Sequence, residues 1–219
     1  MTKTILSAAI LLIGSHVAFA QCEVPKDSTF IGDADVKELL KHAPPAVDQQ
    51  LKVVDLCKYN LAVGIIHRGP TNNAARGRGA RGAAKGGGRA AANRVECSTG
   101  TAPADAKPSG AGGIAHDDET ETYIIVSGSG TLVTGGVIEH GFRSPPESEV
   151  TKVLNGPSCS GPIVGHVTER VVNPGDIVII PFGVPHGWKD ISDHVDYLSV
   201  RPDPDHILPA GYVNPLIKK

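Results

Sequence analysis

The stretch of sequence that decides the fold is PGDIVIIPFGVPHGW, residues 174–188. Turn-forming residues occupy 173–176, an apolar run typical of a buried strand occupies 177–180, and PFGVPH then predicts a tight bend. The first residue after this bend that can do chemistry is His186. The pattern therefore predicts a short strand whose following bend lifts one imidazole into a cavity.

Similar strand patterns recur along the chain. Segments rich in Val, Ile, Thr or Tyr, bounded by Gly, Pro, Asn or Asp, predict strands at 61–69, 122–128, 130–136, 163–172, 176–183 and 195–201. No strand–helix–strand unit repeats, so the pattern favours an antiparallel sandwich or barrel over a parallel sheet. One helix is predicted at 35–43, with Asp35 and Glu38 at a capping-box spacing and prolines at 44 and 45 to end it.

A second group of polar residues lies in IAHDDETETYIIVSGSG, residues 114–130. His116 and Glu121 precede a strand-like run that ends at Gly128. A single histidine on a strand is more often structural than a ligand, so this pair alone is a weak signal. This pair and the bend before His186, in this order and with an intervening segment of fitting length, are a much stronger signal than either alone.

Both segments resemble the motifs of the cupin superfamily, G(X)5HXH(X)3-4E(X)6G and G(X)5PXG(X)2H(X)3N. The residues that match are His116, Glu121 and Gly128 in the first motif, and Gly175, Pro181, Gly183 and His186 in the second. The first motif has the spacer of germin-like members, and Asp190 stands where the second has Asn. The resemblance implies an all-β fold, a double-stranded β-helix or jelly-roll (cupin) barrel, here with a short N-terminal helix and a metal inside the barrel.

The resemblance is incomplete at one position. Germins and many cupin enzymes bind Mn, Fe, Cu, Ni or Zn through three histidines and one glutamate, but Ile114 stands where the first histidine belongs. Only His116, Glu121 and His186 therefore carry over as ligands of one divalent metal. An alternative register makes His116 the first histidine and Asp118 the substitute for the second, with a shorter spacer. Because 114, 116 and 118 share a face of a regular strand, Asp118 stays a candidate additional ligand.

Two imidazoles and one carboxylate leave coordination positions open to water, substrate or dioxygen. This is the ligand set of non-haem iron oxygenases, and manganese or zinc also accepts it. His67, at the end of the predicted strand LAVGIIH, is a candidate fourth ligand if that strand lines the same cavity. A histidine that is merely hydrogen-bonded at a strand end is the alternative.

Strand alternation predicts the lining of the cavity, because residues two apart share a face. The side chains expected at the cavity are Ile114, Tyr123, Ile125, Phe182, Trp188 and Arg68. Ordinary core packing is the alternative for the apolar ones. Arg68 is a candidate to hold a substrate carboxylate at the barrel mouth. The candidate catalytic groups are Glu121 and Tyr123, which could move protons.

The first residues have the pattern of a secretory signal peptide. Lys3 precedes the apolar run ILSAAILLI, which is too short to span a bilayer, and AFA offers small residues for cleavage near Ala20. We therefore expect export to a periplasmic or extracellular space and no membrane association after cleavage. The expected organisation is a signal peptide at 1–20, a helical or extended arm at 21–54, the barrel at 55–202 and a C-terminal tail at 203–219.

The four cysteines, Cys22, Cys57, Cys97 and Cys159, form no CxxC pair. In an oxidising compartment two disulfides are therefore expected, and three pairings are possible. We favour Cys57 with Cys97, because that bridge would close the base of the insertion described next. Four unpaired, buried thiols are the alternative.

The barrel is interrupted by an insertion at 74–94, whose core is RGRGARGAAKGGGRAAANR. It contains basic residues but no acid and no large apolar side chain, so it cannot offset its ordering entropy and is expected to be a mobile loop. It lacks the aromatic residues on which bases stack, and we therefore expect no nucleic acid partner. A flap that attracts anionic substrate or wall polymer is the alternative to a simple solvated loop.

Three functions fit these patterns. The favoured one is an exported metal-dependent oxidoreductase, dioxygenase-like, that acts on a small oxygenated molecule. A redox-neutral isomerase, epimerase or lyase could use the same site, with the metal polarising a carbonyl. A small-molecule-binding module that has lost its metal is the third, because fold resemblance does not fix chemistry. Cupins commonly associate through sheet edges, so the resemblance also implies a homodimer.

Overall fold

The computed structural model describes residues 22–44, 48–71 and 94–217. Within these ranges the chain forms one α-helix, α1 (Asp33–His42), a π-helical turn (Val150–Leu154) and eleven strands. The strands are β1 (Asp48–Asp55), β2 (Asn60–Arg68), β3 (Glu96–Cys97), β4 (Pro108–His116), β5 (Glu121–Gly128), β6 (Gly130–Ile138), β7 (Gly141–Arg143), β8 (Ser158–Val172), β9 (Ile177–Ile180), β10 (His186–Lys189) and β11 (Val195–Asp203).

The strands form two sheets, and every strand pair in the described part of the chain is antiparallel. The first sheet has the order β1-β2-β11-β5-β9, and the second has the order β3-β7-β8-β4-β10-β6. Strand β8 also pairs with β6, while β10 pairs with both β4 and β6. The second sheet therefore closes on itself at this end.

This architecture confirms the prediction of an all-β double-stranded β-helix with a short N-terminal helix. The predicted strands are all present, with bounds that differ by a few residues. Strands β1, β3, β4, β7 and β10 were not predicted. The sequence of β4, PSGAGGIAH, gives no strand signal, because glycine is a poor strand former. The segment is a strand because β10 and β8 pair with it on its two sides.

The main apolar core lies between the two sheets. It is built from residues of both, and its largest members include Tyr123, Ile125, Trp188, Ile191 and Tyr197. These aromatic rings contact one another, with the centroids of Tyr123 and Tyr197 separated by 4.3 Å. Aromatic side chains bury a large apolar area, and the Tyr123 ring also packs edge-on against the ring of His186, with centroids 5.9 Å apart.

Helix α1 covers part of the outer face of the first sheet. Leu39 packs with Leu51 and Ile65 of β1 and β2. The backbone N–H of Gly32 donates to the Asp35 carboxylate at 3.0 Å, which satisfies one free donor at the start of the helix. The helix ends at His42, before Pro44, as the sequence predicts.

Two expected boundaries need correction. The arm expected at 21–54 contains most of β1, which pairs with β2 and belongs to the first sheet. The tail expected at 203–219 is not a loose end, because the backbone N–H of Asn214 donates to the carbonyl of Leu51 and Leu208 is buried. The C-terminal segment covers the outer edge of β1, which would otherwise leave its backbone groups unpaired.

The disulfides are Cys22–Cys57 and Cys97–Cys159. The expected bridge between Cys57 and Cys97 is therefore wrong, as is the alternative of four free thiols. Cys97 lies in β3 and Cys159 in β8, and the two strands are separated only by β7 in the second sheet. Sequence spacing could not show this, because the partners are brought together by strand order and not by chain proximity.

Two sequence predictions fall outside the described residues. They are the signal peptide at 1–20 and the mobile insertion at 74–94, apart from its last residue, Arg94. Of the helices in the described ranges, none has the length and apolar character needed to cross a membrane.

Candidate metal centre

Three strand ends bring His116, Glu121 and His186 together. His116 ends β4, Glu121 begins β5 and His186 begins β10. The bend between β9 and β10 is fixed by Gly183, whose φ of +73° favours glycine and whose N–H donates to the His116 carbonyl at 2.7 Å. The bend thus places His186 beside His116. The sequence predicted such a bend after β9, with one imidazole following it.

The donor atoms of these residues converge on one point. The Nε2 atom of His116 lies 3.2 Å from Glu121 Oε2, and the Nε2 atom of His186 lies 3.0 Å from the same oxygen. All three side chains are at most 3% exposed. They form the one buried group of possible metal ligands among the described residues.

The outward nitrogen of each imidazole is fixed by a backbone carbonyl. His116 Nδ1 donates to the carbonyl of Asn155 at 3.0 Å, and His186 Nδ1 donates to that of Val184 at 3.0 Å. These bonds place the proton on Nδ1, which leaves Nε2 with a lone pair. Neither Nε2 atom has a hydrogen-bond partner among the described residues.

Two nitrogen lone pairs therefore face a carboxylate oxygen in a buried site. Such an arrangement needs a positive charge between the donors, either an added proton or a cation. Burial by itself lowers the pKa of His116, but the Glu121 carboxylate outweighs it and raises that pKa above the ordinary value. The same three donors fit a divalent metal, because imidazole nitrogen and carboxylate oxygen are ligands for Zn and for first-row redox metals.

The two oxygens of Glu121 have different roles. Oε1 accepts from Ser199 Oγ at 3.0 Å and from Arg201 Nε at 2.6 Å. Oε2 faces the imidazoles and accepts from the Tyr123 hydroxyl at 2.8 Å. Burial opposes ionisation, yet the charges of His116 and Arg201 hold the pKa of Glu121 well below its usual range. Glu121 is therefore an anionic side chain whose Oε2 points at the two imidazoles.

Arg201 is the residue that sequence reasoning missed. Its side chain is fully buried, and its guanidinium also contacts Asp48 at 2.6 Å and the carbonyl of Leu154. Burial lowers the pKa of Arg201, but the carboxylates of Glu121 and Asp48 more than compensate, so it stays charged. In the sequence it ends a strand-like run, VDYLSVR, where an arginine is usually solvent-exposed, and no local signal marks it as part of a site.

Glu119 is a second buried acid beside the candidate ligands. It is 2% exposed, and burial raises its pKa to about 7 against the opposing effects of Arg201 and His116. Neither of its carboxylate oxygens has a hydrogen-bond partner among the described residues. Sequence analysis gave it no role, because a run of acids before a strand is typical of a solvated loop.

Two proposed additional ligands lie away from the centre. Asp118 is exposed, in the turn after β4, so the regular strand on which its assignment rested has already ended. His67 Nδ1 pairs with the Asp196 carboxylate at 2.6 Å. Asp196 in turn accepts from Ser127 at 2.7 Å. His67 is therefore part of a row of hydrogen-bonded polar side chains across β2, β11 and β5. This arrangement matches the alternative given above, a histidine that is hydrogen-bonded at a strand end.

The expected lining residues divide into two groups. Tyr123, Ile125 and Trp188 are buried in the core between the sheets. Ile114 is half-buried on β4, directly opposite His186 on β10. Phe182, in contrast, is 62% exposed, because the bend turns it outward. Its assignment to the pocket needs correction.

Arg68 is also placed differently from the expectation. Its Nε donates to the Tyr197 hydroxyl at 3.0 Å, so it is engaged with the aromatic core. A role at the barrel mouth would require this bond to break. The structure thus gives Arg68 a partner inside the protein.

No protein-family model and no curated protein sequence matches the chain. Solved structures similar to it include a protein with a double-stranded β-helix domain from Klebsiella pneumoniae, at 13% identity and a TM-score of 0.36, covering 82% of this chain and 93% of that one. A Bacillus halodurans protein has 11% identity and a TM-score of 0.37, with 87% and 92% covered. An oxalate oxidase has 12% identity and a TM-score of 0.31, with 74% and 54% covered.

These likenesses are too distant to assign an activity. The fold is defined by the strand order and pairing, and the site by its three converging donors. Together they define a double-stranded β-helix with a candidate metal centre of two histidines and one glutamate.

Proposed function

We propose that the protein is an exported metal-binding cupin that uses one divalent metal, held by His116, Glu121 and His186, as an oxidoreductase acting on a small oxygenated molecule. The observation that supports this most directly is the convergence of the Nε2 atoms of His116 and His186 on Glu121 Oε2 in a buried site. Three protein ligands leave coordination positions for substrate or dioxygen. A redox-active metal bound there would supply the electron transfer that the protein's own side chains cannot.

The surrounding residues prepare the site for such chemistry. Arg201 and Ser199 fix Glu121 Oε1, which leaves Oε2, hydrogen-bonded only by the Tyr123 hydroxyl among the described residues, as the oxygen that can bind a metal. Tyr123 holds a proton at its hydroxyl, and burial together with the Glu121 charge raises its pKa well above the ordinary value. Tyr123 therefore donates its single hydroxyl proton in a hydrogen bond to the Glu121 carboxylate, and it is not a base.

Access to the site requires movement of the chain, since all three ligands are at most 3% exposed. The segments next to them are the bend at 181–185 and the backbone after the π-helical turn, where Asn155 bonds His116. Dioxygen and water are small enough to reach a closed site through side-chain fluctuations. A larger substrate needs one of these segments to open.

A redox-neutral isomerase, epimerase or lyase is the second candidate. The buried hydrogen bond between Tyr123 and Glu121, at 2.8 Å, favours it because it places a proton donor beside the metal position. Export is supported by the two disulfides, which persist in oxidising compartments.

Metal analysis of the purified protein tests the proposal. We expect close to one equivalent of a redox metal (Fe, Mn, Cu or Ni) and substrate-dependent oxygen uptake in a screen of small hydroxy- and oxo-acids and phenols. Zinc without oxygen uptake would favour the redox-neutral candidate. Absence of metal even after reconstitution with each of these ions would overturn the proposal and favour a binding module.

His186→Ala tests the ligand assignment itself. We expect this variant to lose metal retention, because it removes one of three donors. His166→Ala is the matched control, since His166 is exposed on β8 and should have no effect. Unchanged metal content in His186→Ala would show that the metal is bound elsewhere.

A further inference from the structure

Glu119 is a buried carboxylate without a partner in the described part of the chain. Its two oxygens are enclosed by protein and accept no hydrogen bond there. Other buried acids are satisfied: Asp203 accepts the backbone N–H groups of Ile207 and Leu208, and Asp48 pairs with Arg201. Glu119 differs from these acids because no side chain or backbone group among the described residues donates a hydrogen bond to its carboxylate.

The packing around Glu119 makes room for this carboxylate. Gly156 has a φ of +64°, and a Cβ at that position would lie 2.7 Å from Glu119 Oε1. Only glycine can therefore occupy position 156 while the carboxylate stays in place. Gly156 directly follows Asn155, whose carbonyl orients His116. Glu119 thus lies against the same short segment that fixes one of the candidate ligands.

An unpartnered buried carboxylate is costly for a protein that has nothing positive to place near it. The charged groups close to the candidate metal centre indicate what could offset the free-energy cost of burying this carboxylate. Glu121 and Asp48 share one guanidinium, that of Arg201. A divalent metal at the three ligands would add two positive charges near Glu119, which lies close enough to His116 for that side chain to lower its pKa. This attraction would offset the cost of burying the Glu119 carboxylate.

We infer that Glu119 is the buried counter-charge of the metal centre, a positioning residue that strengthens metal binding without being a ligand. The inference rests on the proposed metal site. Glu119 is not a ligand because its oxygens lie outside the group of donor atoms that are within 4.8 Å of one another. Its effect is electrostatic, and it is strong because a buried charge is screened much less than an exposed one.

Glu119→Gln is the direct test, since it removes the charge and nearly keeps the shape. We expect the affinity for Zn²⁺, measured by competition with a chromophoric chelator, and for Mn²⁺, measured from the spin-resonance signal of the free ion, to fall about 10- to 100-fold. Asp118→Asn is the matched control, because Asp118 is an exposed carboxylate in the same turn. It should change either affinity by less than about twofold, because solvent screens it. Glu119→Asp keeps the charge and should retain most of the affinity.

The thermal midpoint of the metal-free protein separates this role from a structural one. The metal-free Glu119→Gln variant should be as stable as the wild type or more stable, because it removes a buried carboxylate that has no hydrogen-bond partner among the described residues. A less stable metal-free variant would overturn the inference and show a structural role. Unchanged affinity in Glu119→Gln, with normal binding by the wild type, would also overturn it while leaving the metal site intact. Failure of the wild type to bind either ion would instead contradict the proposed function.

Discussion

At the scale of single residues, the site depends on which atom of each side chain is already engaged. Both imidazoles use Nδ1 for backbone carbonyls, and Glu121 uses Oε1 for Ser199 and Arg201. The atoms that converge are the two Nε2 atoms and Glu121 Oε2, which also accepts a hydrogen bond from the Tyr123 hydroxyl. Outer hydrogen bonds of this kind fix ligand orientation before the metal arrives, which lowers the cost of binding.

Ile114 marks the position of the ligand that the cupin pattern has and this chain lacks. It lies on β4 two residues before His116 and directly opposite His186. Ile114→His should therefore add an imidazole at the centre and tighten Zn²⁺ binding about tenfold or more, equivalent to about 1.4 kcal/mol per tenfold. Chelator competition measures the change.

Ile124→His is the control for this substitution, because Ile124 is half-buried on β5 and pairs with Ile177 away from the ligands. It should leave Zn²⁺ affinity unchanged. Equal affinity of Ile114→His and the wild type would mean that the Ile114 side chain does not face the metal, and it would revive the alternative register of the first motif.

The pH dependence of stability provides a separate test of Glu119. Burial raises its pKa from the ordinary value of 4.5 to about 7, so between these values the folded protein holds a proton that the unfolded chain has lost. The contribution of Glu119 to the free energy of unfolding is complete below pH 4.5 and is lost as the pH rises through 7. The total loss is roughly 3 kcal/mol.

The measurement is the free energy of unfolding of the metal-free protein, compared between wild type and Glu119→Gln from pH 4.5 to 8. Titrating groups far from Glu119 contribute equally to both proteins and cancel in the difference, whereas His116, whose pKa the Glu119 charge raises, contributes to it. We expect the variant to gain stability relative to the wild type as the pH rises. A constant difference across this range would show that the Glu119 pKa is ordinary.

At the scale of secondary-structure elements, the site depends on short connections. The bend at 181–185 and the turn at 117–120 are both only a few residues long, so the strand ends they join cannot move far apart. Asp190, which follows β10, has a φ of +54°. Asn and Asp tolerate this left-handed conformation better than most residues, which explains why Asp can stand where the cupin pattern has Asn.

Strand β9 is the exposed edge of the first sheet, with β5 on its other side. Its outward residues Ile177 and Ile179 are 63% and 67% exposed. An apolar edge strand is a ready surface for pairing with another strand. We propose that two copies of the chain associate through β9, which would place the expected homodimer at this edge.

Replacing both isoleucines by lysine, Ile177→Lys with Ile179→Lys, should convert a dimer into a monomer, because charge on an edge strand opposes pairing. Light scattering coupled to size-exclusion chromatography measures the mass. Val24→Lys is the control, since Val24 is 55% exposed in the N-terminal segment, outside both sheets. A wild-type monomer at working concentration, or a dimer in the double variant, would rule out this interface.

At the scale of the whole molecule, the disulfides connect distant parts of the chain to the sheets. Cys97–Cys159 joins residues 62 apart in sequence, and Cys159 lies opposite Ala115, the neighbour of His116. Cys22–Cys57 joins residues 35 apart and ties the N-terminal segment to the end of β1. The first bridge therefore supports the strands of the site, and the second supports the periphery.

Cys97→Ala with Cys159→Ala should lower the free energy of unfolding by about 2–4 kcal/mol, because the unfolded chain regains the entropy of an open loop. It should also weaken metal retention. Cys22→Ala with Cys57→Ala is the control, with a similar loss of stability but unchanged metal affinity. Denaturant unfolding and chelator competition measure the two effects, and equal metal affinity in both double variants would contradict the assignment of roles.

Much of the fold could be predicted from local sequence. Strands with Val, Ile and Tyr, and the helix with its capping residue and terminal proline, have signals that lie within a few residues. Strand β4 could not be predicted in this way, because its glycines carry no strand signal and it exists through pairing with β8 and β10. The disulfide pairing was wrong for a related reason, since it depends on strand order.

The sequence by itself determined the two motifs, and with them the three residues that converge, because the spacing of His116 and Glu121 and the bend before His186 are local properties of the chain. The tertiary structure alone decided their surroundings. Arg201, Asp48 and Glu119 lie far apart or in unremarkable segments, and only folding buries them together, where their charges act on one another through a medium that screens them weakly.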